Sequence, residues 1–356
     1  MTLTMYRGDV ASTFSAKDAT LAQCAAILEH SELQIALVVD DAKRLLGTVT
    51  DGDIRRALLR GCGLETPVAE VMNVAPIIAN EELLVNEGAL RRRAARRVPV
   101  LAADGTVVGL ALPAEELRFQ RITNPVVVMA GGLGTRLAEL TRTCPKPLLR
   151  VGDKPVLETM LERFAAQGFY HFVFSVNYRA EMIERFFGDG SAWGVEITYL
   201  RETKRLGTCG ALGLLETVET VPEEPFFVIN GDVLTKVNFE QMLHFHQQHR
   251  QCATMAVRQH SLNFPFGVVE LDGHQVTGLT EKPTYQMFVN AGIYVLSPAC
   301  LDYIPRGQYF DMTELLETLL AKRQPVGSFP VHEYWQDIGQ LEDFRAANQV
   351  YSSVFS

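Results

Sequence analysis

The chain has 356 residues, enough for two domains or one large one, and its 47% apolar content is too high for a disordered protein. A formal net charge of −9 argues against a general nucleic-acid binder, which carries a basic face, and no apolar run is long enough to cross a bilayer. Six cysteines without a C-x-x-C, and a start (MTLTMYRGDV) lacking an apolar signal region, point to free thiols in a reducing cytoplasm.

Residues 1–120 carry a faint internal duplication. Ala36–Asp40 and Gly47–Asp51 read as strand, turn, strand; Val98–Leu101 with Val107–Leu110 repeats the pattern. Val38 and Val100 stand 62 positions apart, as do Gly47 and Gly109. A helical pattern precedes each copy, Leu21–Glu29 in the first and Glu81–Arg93 in the second. Such a repeat packs against its twin to bury a shared face. The first copy closes with Thr50-Asp51-Gly52-Asp53, which resembles the T-x-x-D ending of the cystathionine-β-synthase (CBS) repeat. That resemblance implies a CBS pair of α+β repeats over residues 1–120, with Thr50 and Asp53 on the ribose of an adenine nucleotide. The second copy has Leu112 and Glu115 where Thr and Asp would stand, so dimerisation or packing is the other use of the pair. Arg91, Arg92, Arg93, Arg96 and Arg97 read as a solvated helix face in preference to a phosphate grip. Leu112–Asn124 reads as the linker, with the boundary near residue 122.

From Val126 the pattern changes. Val126–Val128 suit a buried strand of a parallel sheet, and Gly131, Gly132 and Gly134 follow. Glycines let backbone N–H groups approach an anion closely. Arg136 and Lys146 add two full positive charges, and a helix starting at Leu137–Leu140 would add its dipole. The stretch reads as a phosphate-cradling loop with two cations, or more plainly as a tight strand-to-helix turn. Neither the dinucleotide fingerprint nor the P-loop pattern is present.

Farther on, Phe172–Val176 and Phe226–Ile229 read as strands and Arg179–Phe187 as a helix stopped by Gly188. Asp311–Glu314 reads as a capping box ahead of Leu315. This alternation predicts an α/β fold: a Rossmann-like, mostly parallel sheet covered on both faces, with ligands beyond the strands' carboxyl ends. Asp232 follows the Phe226–Ile229 strand, and Asp337 lies in Trp335-Gln336-Asp337-Ile338-Gly339. Two aspartates with triphosphate oxygens make a shell suited to Mg²⁺, although a lone Asp at a strand end is commonly a turn residue. His246 and His249 share a helical face without further ligands at metal spacing, so that helix is expected to face solvent.

Gly-Gly-x-Gly-Thr-Arg-Leu at 131–137, followed by Pro-Lys-Pro-Leu-Leu at 145–149, closely resembles the nucleoside-triphosphate loop of sugar-1-phosphate nucleotidyltransferases. Leu206–Leu212 (LGTCGAL), Phe266–Glu270, Glu281-Lys282-Pro283, Asn290–Tyr294 and the W-x-D-I-G at 335–339 match further family segments in order. The resemblance implies a catalytic domain over residues 122–356. It puts Ala130, Gly131, Gly132, Gly134, Thr135, Gly207 and Thr208 on the nucleoside triphosphate, and Gly267, Glu281, Lys282, Asn290 and Gly292 on the sugar phosphate. Asp232 and Asp337 would hold Mg²⁺, and Arg136, Lys146, Asp232 and Lys282 would be the catalytic groups.

The same resemblance sets Glu202 near the base edge. A carboxylate there accepts from the N1–H and N2–H₂ of guanine but meets the N3 lone pair of cytosine, which favours GTP; an exposed strand-end glutamate is the alternative. A CBS pair ahead of such a domain most resembles the glucosamine-1-phosphate guanylyltransferases of legionaminic acid synthesis, with mannose-1-phosphate guanylyltransferases close by. The expected protein is a homo-oligomer that joins a nucleoside monophosphate to a sugar 1-phosphate. UTP or another triphosphate, a heptose 1-phosphate, and a non-catalytic nucleotide-sensing role remain open.

Overall fold

The computed structural model describes residues 3–6, 9–31, 33–80, 97–113, 121–137, 139–218 and 221–355. The chain divides into two units, Met1–Gln120 and Arg121–Ser356.

In the first unit the elements are β1 (Leu3–Tyr6), β2 (Phe14–Ala16), α1 (Leu21–His30), β3 (Ile35–Val39), β4 (Leu45–Thr50), α2 (Asp51–Leu59), β5 (Val98–Leu101) and β6 (Val107–Pro113). They make two three-stranded sheets, β2-β3-β4 and β1-β6-β5. The duplication is visible in the register. Val38 lies opposite Gly47 and Val100 opposite Gly109, and each hairpin slips immediately after, at Val38/Val39 and at Val100/Leu101. Thr20 opens α1 with a reciprocal cap on Gln23, and Leu21, Cys24 and Leu28 pack on Ala36, Val38 and Ile54. The expected second helix, Glu81–Arg93, lies outside the described residues, as do Arg96 and Glu115. Arg97 is half-buried and donates to Gln34 Oε1 at 2.9 Å, so it does not belong to a solvated face. Leu112 and Pro113 are not linker: they end β6 and pair with Thr4 and Leu3, because the apolar run Leu110–Leu112 completes a sheet.

The second unit runs β7 (Val126–Met129), β8 (Arg150–Val151), β9 (Lys154–Pro155), α3 (Val156–Ala166), β10 (His171–Val176), α4 (Ala180–Phe187), β11 (Glu196–Arg201), β12 (Phe226–Asn230) and β13 (Val233–Thr235). It continues with α5 (Phe239–Gln248), β14 (Ala253–Asn263), β15 (Val268–Asp272), β16 (Gln275–Thr280), β17 (Thr284–Leu296), α6 (Met312–Ala321), β18 (Val326–Val331), β19 (Trp335–Asp337) and α7 (Leu341–Phe355). Seven strands form one sheet, ordered β11-β10-β7-β12-β17-β14-β18, in which β17 alone runs against the rest. The sheet buries both faces. Val126, Val128, Phe172, Phe174 and Phe227 point to one core with α3 and α5, whereas Val127, Val173 and Val228 point to the other with α6. Continuous apolar strands are what such a two-faced sheet requires.

Two local expectations need correction. Leu137–Leu140 is not a helix start; Thr135–Leu137 forms a single 3₁₀ turn. The Leu137 N–H closes that turn on the Gly134 carbonyl, three residues back, and the Thr141 hydroxyl donates to the same oxygen, each at 2.9 Å, so the loop ends in a turn and no helix dipole aids it. His246 does not face solvent. It lies on the apolar face of α5 with Phe239, Met242 and Leu243, hydrogen-bonded to Thr254 and Ser297. Among the described residues no helix is long and apolar enough to cross a membrane, and all six cysteines are free thiols.

Candidate active site

The parallel strands β7, β10, β11 and β12 end along one edge, and each delivers a polar group there. β7 leads into Ala130 and the glycine loop, and the Ala130 N–H donates to the Ser175 carbonyl at 2.8 Å. β12 ends at Asn230, so Gly231 and Asp232 lie beside that loop, with the Gly231 N–H on the Met129 carbonyl at 3.0 Å. β13 then pairs with β19 so that Val233 stands opposite Asp337, and the Ile338 N–H donates to the Asp232 carbonyl at 3.0 Å. Two carboxylates that are 105 positions apart in the sequence are thus joined through one short ladder.

Lys146 enters from the 3₁₀ turn Lys146–Leu148, its side chain only 10% exposed, and its ammonium pairs with Asp232 Oδ2. Asp232 Oδ1 and Asp337 Oδ1 are buried and have no hydrogen-bond partner among the described residues. Burial and the neighbouring Asp232 carboxylate push the Asp337 carboxyl up to about 6, with Lys146 and Arg136 pulling the other way. Two orphaned carboxylate oxygens that repel one another make a hard, anionic donor set, and it fits a divalent cation. Arg136 is exposed and lies near Gly339, just past Asp337.

The sugar-side motifs divide. Asn290 and Gly292 are at this edge: β17 pairs with β12, and a Cβ on Gly292 would lie 2.7 Å from Asn230 Nδ2. Asn290 exchanges hydrogen bonds with the Tyr294 hydroxyl and accepts from the Gly292 N–H. Trp335 Nε1 donates to the Ala291 carbonyl at 2.8 Å, which ties the W-x-D-I-G segment to this loop. Gly267, Glu281 and Lys282 instead sit on an exposed β-arm, residues 259–288, that extends from β14 and β17. Lys282 takes a left-handed backbone there, with φ 45°.

On the other side of the glycine loop, Glu202 follows β11. It is half-buried, which removes the exposed strand-end alternative. Ser175 Oγ donates to its Oε1 at 2.7 Å and the Leu206 N–H to its Oε2 at 3.2 Å. A Cβ on Gly131 would lie 2.7 Å from the same Oε1, so only glycine leaves the carboxylate its place. Burial pushes the Glu202 carboxyl up, and the Ser175 and Leu206 donors pull it partly back. Thr208 is fastened to the start of α6: its N–H donates to Asp311 Oδ1 at 2.9 Å, and its hydroxyl accepts from the Met312 N–H. Gly207 precedes it with φ 80°. Ser175 and Asn177, whose amide donates to the Glu202 carbonyl at 2.8 Å, were not singled out from the sequence; Asp311 was read only as a helix cap and Trp335 only as part of the W-x-D-I-G segment. The only signal for Ser175 is a hydroxyl inside an otherwise apolar strand.

In the amino-terminal unit, Thr50 and Asp53 satisfy one another. The Thr50 hydroxyl donates to Asp53 Oδ2 at 2.6 Å, its N–H donates to the same oxygen at 2.8 Å, and Arg56 holds Oδ1 at 2.5 Å.

The chain resembles known proteins in both units. A model of the CBS domain matches residues 16–60, which is the first repeat, and a model of the Nucleotidyl transferase family matches residues 125–353. The mannose-1-phosphate guanyltransferase of Yarrowia lipolytica is 36% identical over 235 residues, 65% of this chain and 64% of that protein. The mannose-1-phosphate guanylyltransferase catalytic subunit beta of Danio rerio is 35% identical over 232 residues, 63% of this chain and 64% of that protein. The chain therefore spans just under two thirds of the length of these curated relatives. The crystal structure of HddC from Yersinia pseudotuberculosis is matched with a TM-score of 0.51 and 25% identity, over 64% of this chain and 100% of that one. The family match covers more than half of the sequence and all the elements that build the site: with a CBS domain ahead of it, the chain belongs to the Nucleotidyl transferase family.

Proposed function

We propose that this protein transfers a nucleoside monophosphate from a nucleoside triphosphate, GTP by preference, to a sugar 1-phosphate. A phosphate oxygen of the sugar 1-phosphate attacks the α-phosphorus, the bond to the bridging oxygen breaks, and pyrophosphate leaves with the electron pair. The attacking phosphate is already ionised at neutral pH, so no general base is needed, and catalysis is placement plus charge neutralisation. The observation that carries this reading is the convergence of Lys146, Asp232 and Asp337 beside the glycine loop.

Asp232 and Asp337 would hold Mg²⁺, which when bound neutralises phosphate charge. Arg136 would hold the leaving phosphates, Lys146 the α-phosphate, and Lys282 would bring in the sugar phosphate. Ala130, Gly131, Gly132, Gly134, Thr135, Gly207 and Thr208 would line the triphosphate and base, and Gly267, Glu281, Asn290 and Gly292 the sugar. Glu202 would read guanine, in keeping with the guanylyltransferase names of the relatives. An adenine nucleotide in the CBS unit would place its ribose on Thr50 and Asp53, displacing the bond between them. The free thiols suit a reducing cytoplasm.

The test is pyrophosphate release across a grid of nucleoside triphosphates and sugar 1-phosphates, including glucosamine, mannose and heptose 1-phosphates, repeated with added AMP or ATP. Release confined to GTP with one sugar is expected. Release with no pair, at saturating Mg²⁺, overturns the reading in favour of a nucleotide-sensing protein.

A further inference from the structure

Arg179 stands at the N-cap of α4 with φ 52° and ψ 40°, a left-handed backbone that glycine takes freely and an arginine does not. It makes no cap hydrogen bond for the helix, a job done at this position by Ser, Thr, Asp or Asn. The residue is ill suited to its own place in the chain, and such an outlier persists only where its surroundings hold it.

The side chain shows what holds it. Arg179 Nη2 donates to the Arg142 carbonyl at 3.0 Å, and Nε donates to the Tyr178 hydroxyl at 3.0 Å. That hydroxyl shares its own proton between the carbonyls of Thr141, at 3.1 Å, and Arg142, at 3.3 Å. Two successive carbonyls on the way to Lys146 are thus held by two successive side chains just past the end of β10. A guanidinium suits the task, because one planar group donates to a hydroxyl and a carbonyl in different directions.

The held segment passes the constraint on. Thr141 is buried, and its hydroxyl donates to the Gly134 carbonyl at 2.9 Å. A Cβ on Gly134 would lie 2.7 Å from Thr141 Cγ2 and 3.2 Å from Lys146 Cβ, so the glycine loop and the root of the lysine side chain lie against one another. The Lys146 ammonium in turn pairs with Asp232.

We propose that Tyr178 and Arg179 are positioning residues: a latch that fixes residues 141–146 and, through that backbone, aims Lys146 at the α-phosphate. This rests on the transferase reading. A misplacement of about 1 Å costs a reaction of this kind on the order of a hundredfold, so two tethered carbonyls matter to the rate.

The test has two arms, both on the full chain. The first reads the latch without catalysis. Cys144 lies in the held segment and Cys62 in the other unit, both half-buried thiols. Their labelling by N-ethylmaleimide is followed by peptide mass spectrometry. Burial pushes the Cys144 thiol up and the Arg179 charge pulls it back, so the variant is Tyr178→Phe, which leaves that charge in place. Cys144 is expected to label on the order of tenfold faster than in wild type, and Cys62 at the wild-type rate.

The second arm reads kcat and KM with the substrate pair that the wild type uses. Tyr178→Phe and Arg179→Gly are each expected to lower kcat on the order of tenfold, with the KM for the sugar 1-phosphate within about twofold of wild type. Arg179→Gly also relieves the backbone, so its melting temperature should stay within about 3 °C of wild type. Should it melt lower, Tyr178→Phe, which deletes a single oxygen, still decides. The proposal is overturned if Cys144 labels at the wild-type rate in Tyr178→Phe, or if it labels faster while kcat stays at the wild-type value. A wild type that turns over no pair sinks the transferase reading, and labelling then decides the latch by itself.

Discussion

The Lys146 ammonium pairs with Oδ2 of Asp232, while Oδ1 of the same carboxylate is buried and has no hydrogen-bond partner among the described residues. One side chain thus offers one oxygen to a cation of the protein and keeps the other for something the fold does not supply. Asp337 presents a second orphan oxygen beside it. Asp232→Asn is expected to cut turnover by on the order of a hundredfold or more, and to weaken divalent-cation binding in calorimetric titration. Lys146→Met is expected to cost turnover similarly while leaving cation binding in place. Near-normal turnover of Asp232→Asn at saturating Mg²⁺ would remove it from the metal shell.

The crowding of the two carboxylates has a pH signature. An aspartate titrates near 4 in an unfolded chain, and Asp337 is raised to about 6 in the folded, metal-free protein. Between those values the folded state binds the proton more tightly. Stability from this group is therefore full below pH 4 and lost as pH rises through 6. Asp337→Asn should melt higher than wild type at pH 7.5 in chelator, and the gap should close by pH 4. Added Mg²⁺ should raise the wild-type melting temperature and leave that of the variant unmoved. Equal melting of the two proteins at pH 7.5 in chelator would mean that Asp337 carries no strain.

What could be read in the sequence was whatever depends on neighbours in the chain. Apolar runs such as Val126–Val128 and Phe226–Ile229 named their strands because both faces of the sheet are buried. The offset between Val38 and Val100 reappeared as a shared hairpin register. Contacts that depend on the folded sheet were silent. Ser175 reads as one hydroxyl in an apolar strand until β10 sets it beside Glu202, 27 positions on. His246 looked solvated because its partners, Thr254 and Ser297, come from a strand and a loop outside its helix. The helix expected after Gly134 is a single 3₁₀ turn, closed by the Leu137 N–H on the Gly134 carbonyl and held by a threonine seven residues on, a contact that only the folded loop shows.

Ser175 and Glu202 make a prediction about the base. The Ser175 hydroxyl both orients the carboxylate and opposes the upward push of burial on it. Ser175→Ala should raise the KM for GTP several-fold, leave kcat near normal, and erode the preference for GTP over UTP. The pH below which the GTP KM climbs should move upward, because a protonated Glu202 cannot accept from both guanine donors. Ser175→Thr should restore most of the preference. Glu202→Gln with an unchanged GTP-over-UTP preference would sink the base assignment altogether.

His246 opposes Asp337 in the sign of its pH dependence. It is buried, and burial lowers its pKa from 6.5 to about 4 while Thr254 and Ser297 bond the ring. Here the unfolded chain is the better proton binder between pH 6.5 and 4. Its contribution is therefore full above pH 6.5 and drains away as pH falls toward 4, to a total of about 3 kcal/mol. In metal-free protein the two slopes overlap and partly cancel. With Asp337 silenced by the Asp337→Asn substitution, the histidine slope should stand alone, and adding His246→Gln should flatten it. The check is denaturant unfolding at pH 7, 6, 5 and 4 in both backgrounds. A slope that survives His246→Gln would assign the acid sensitivity to another group.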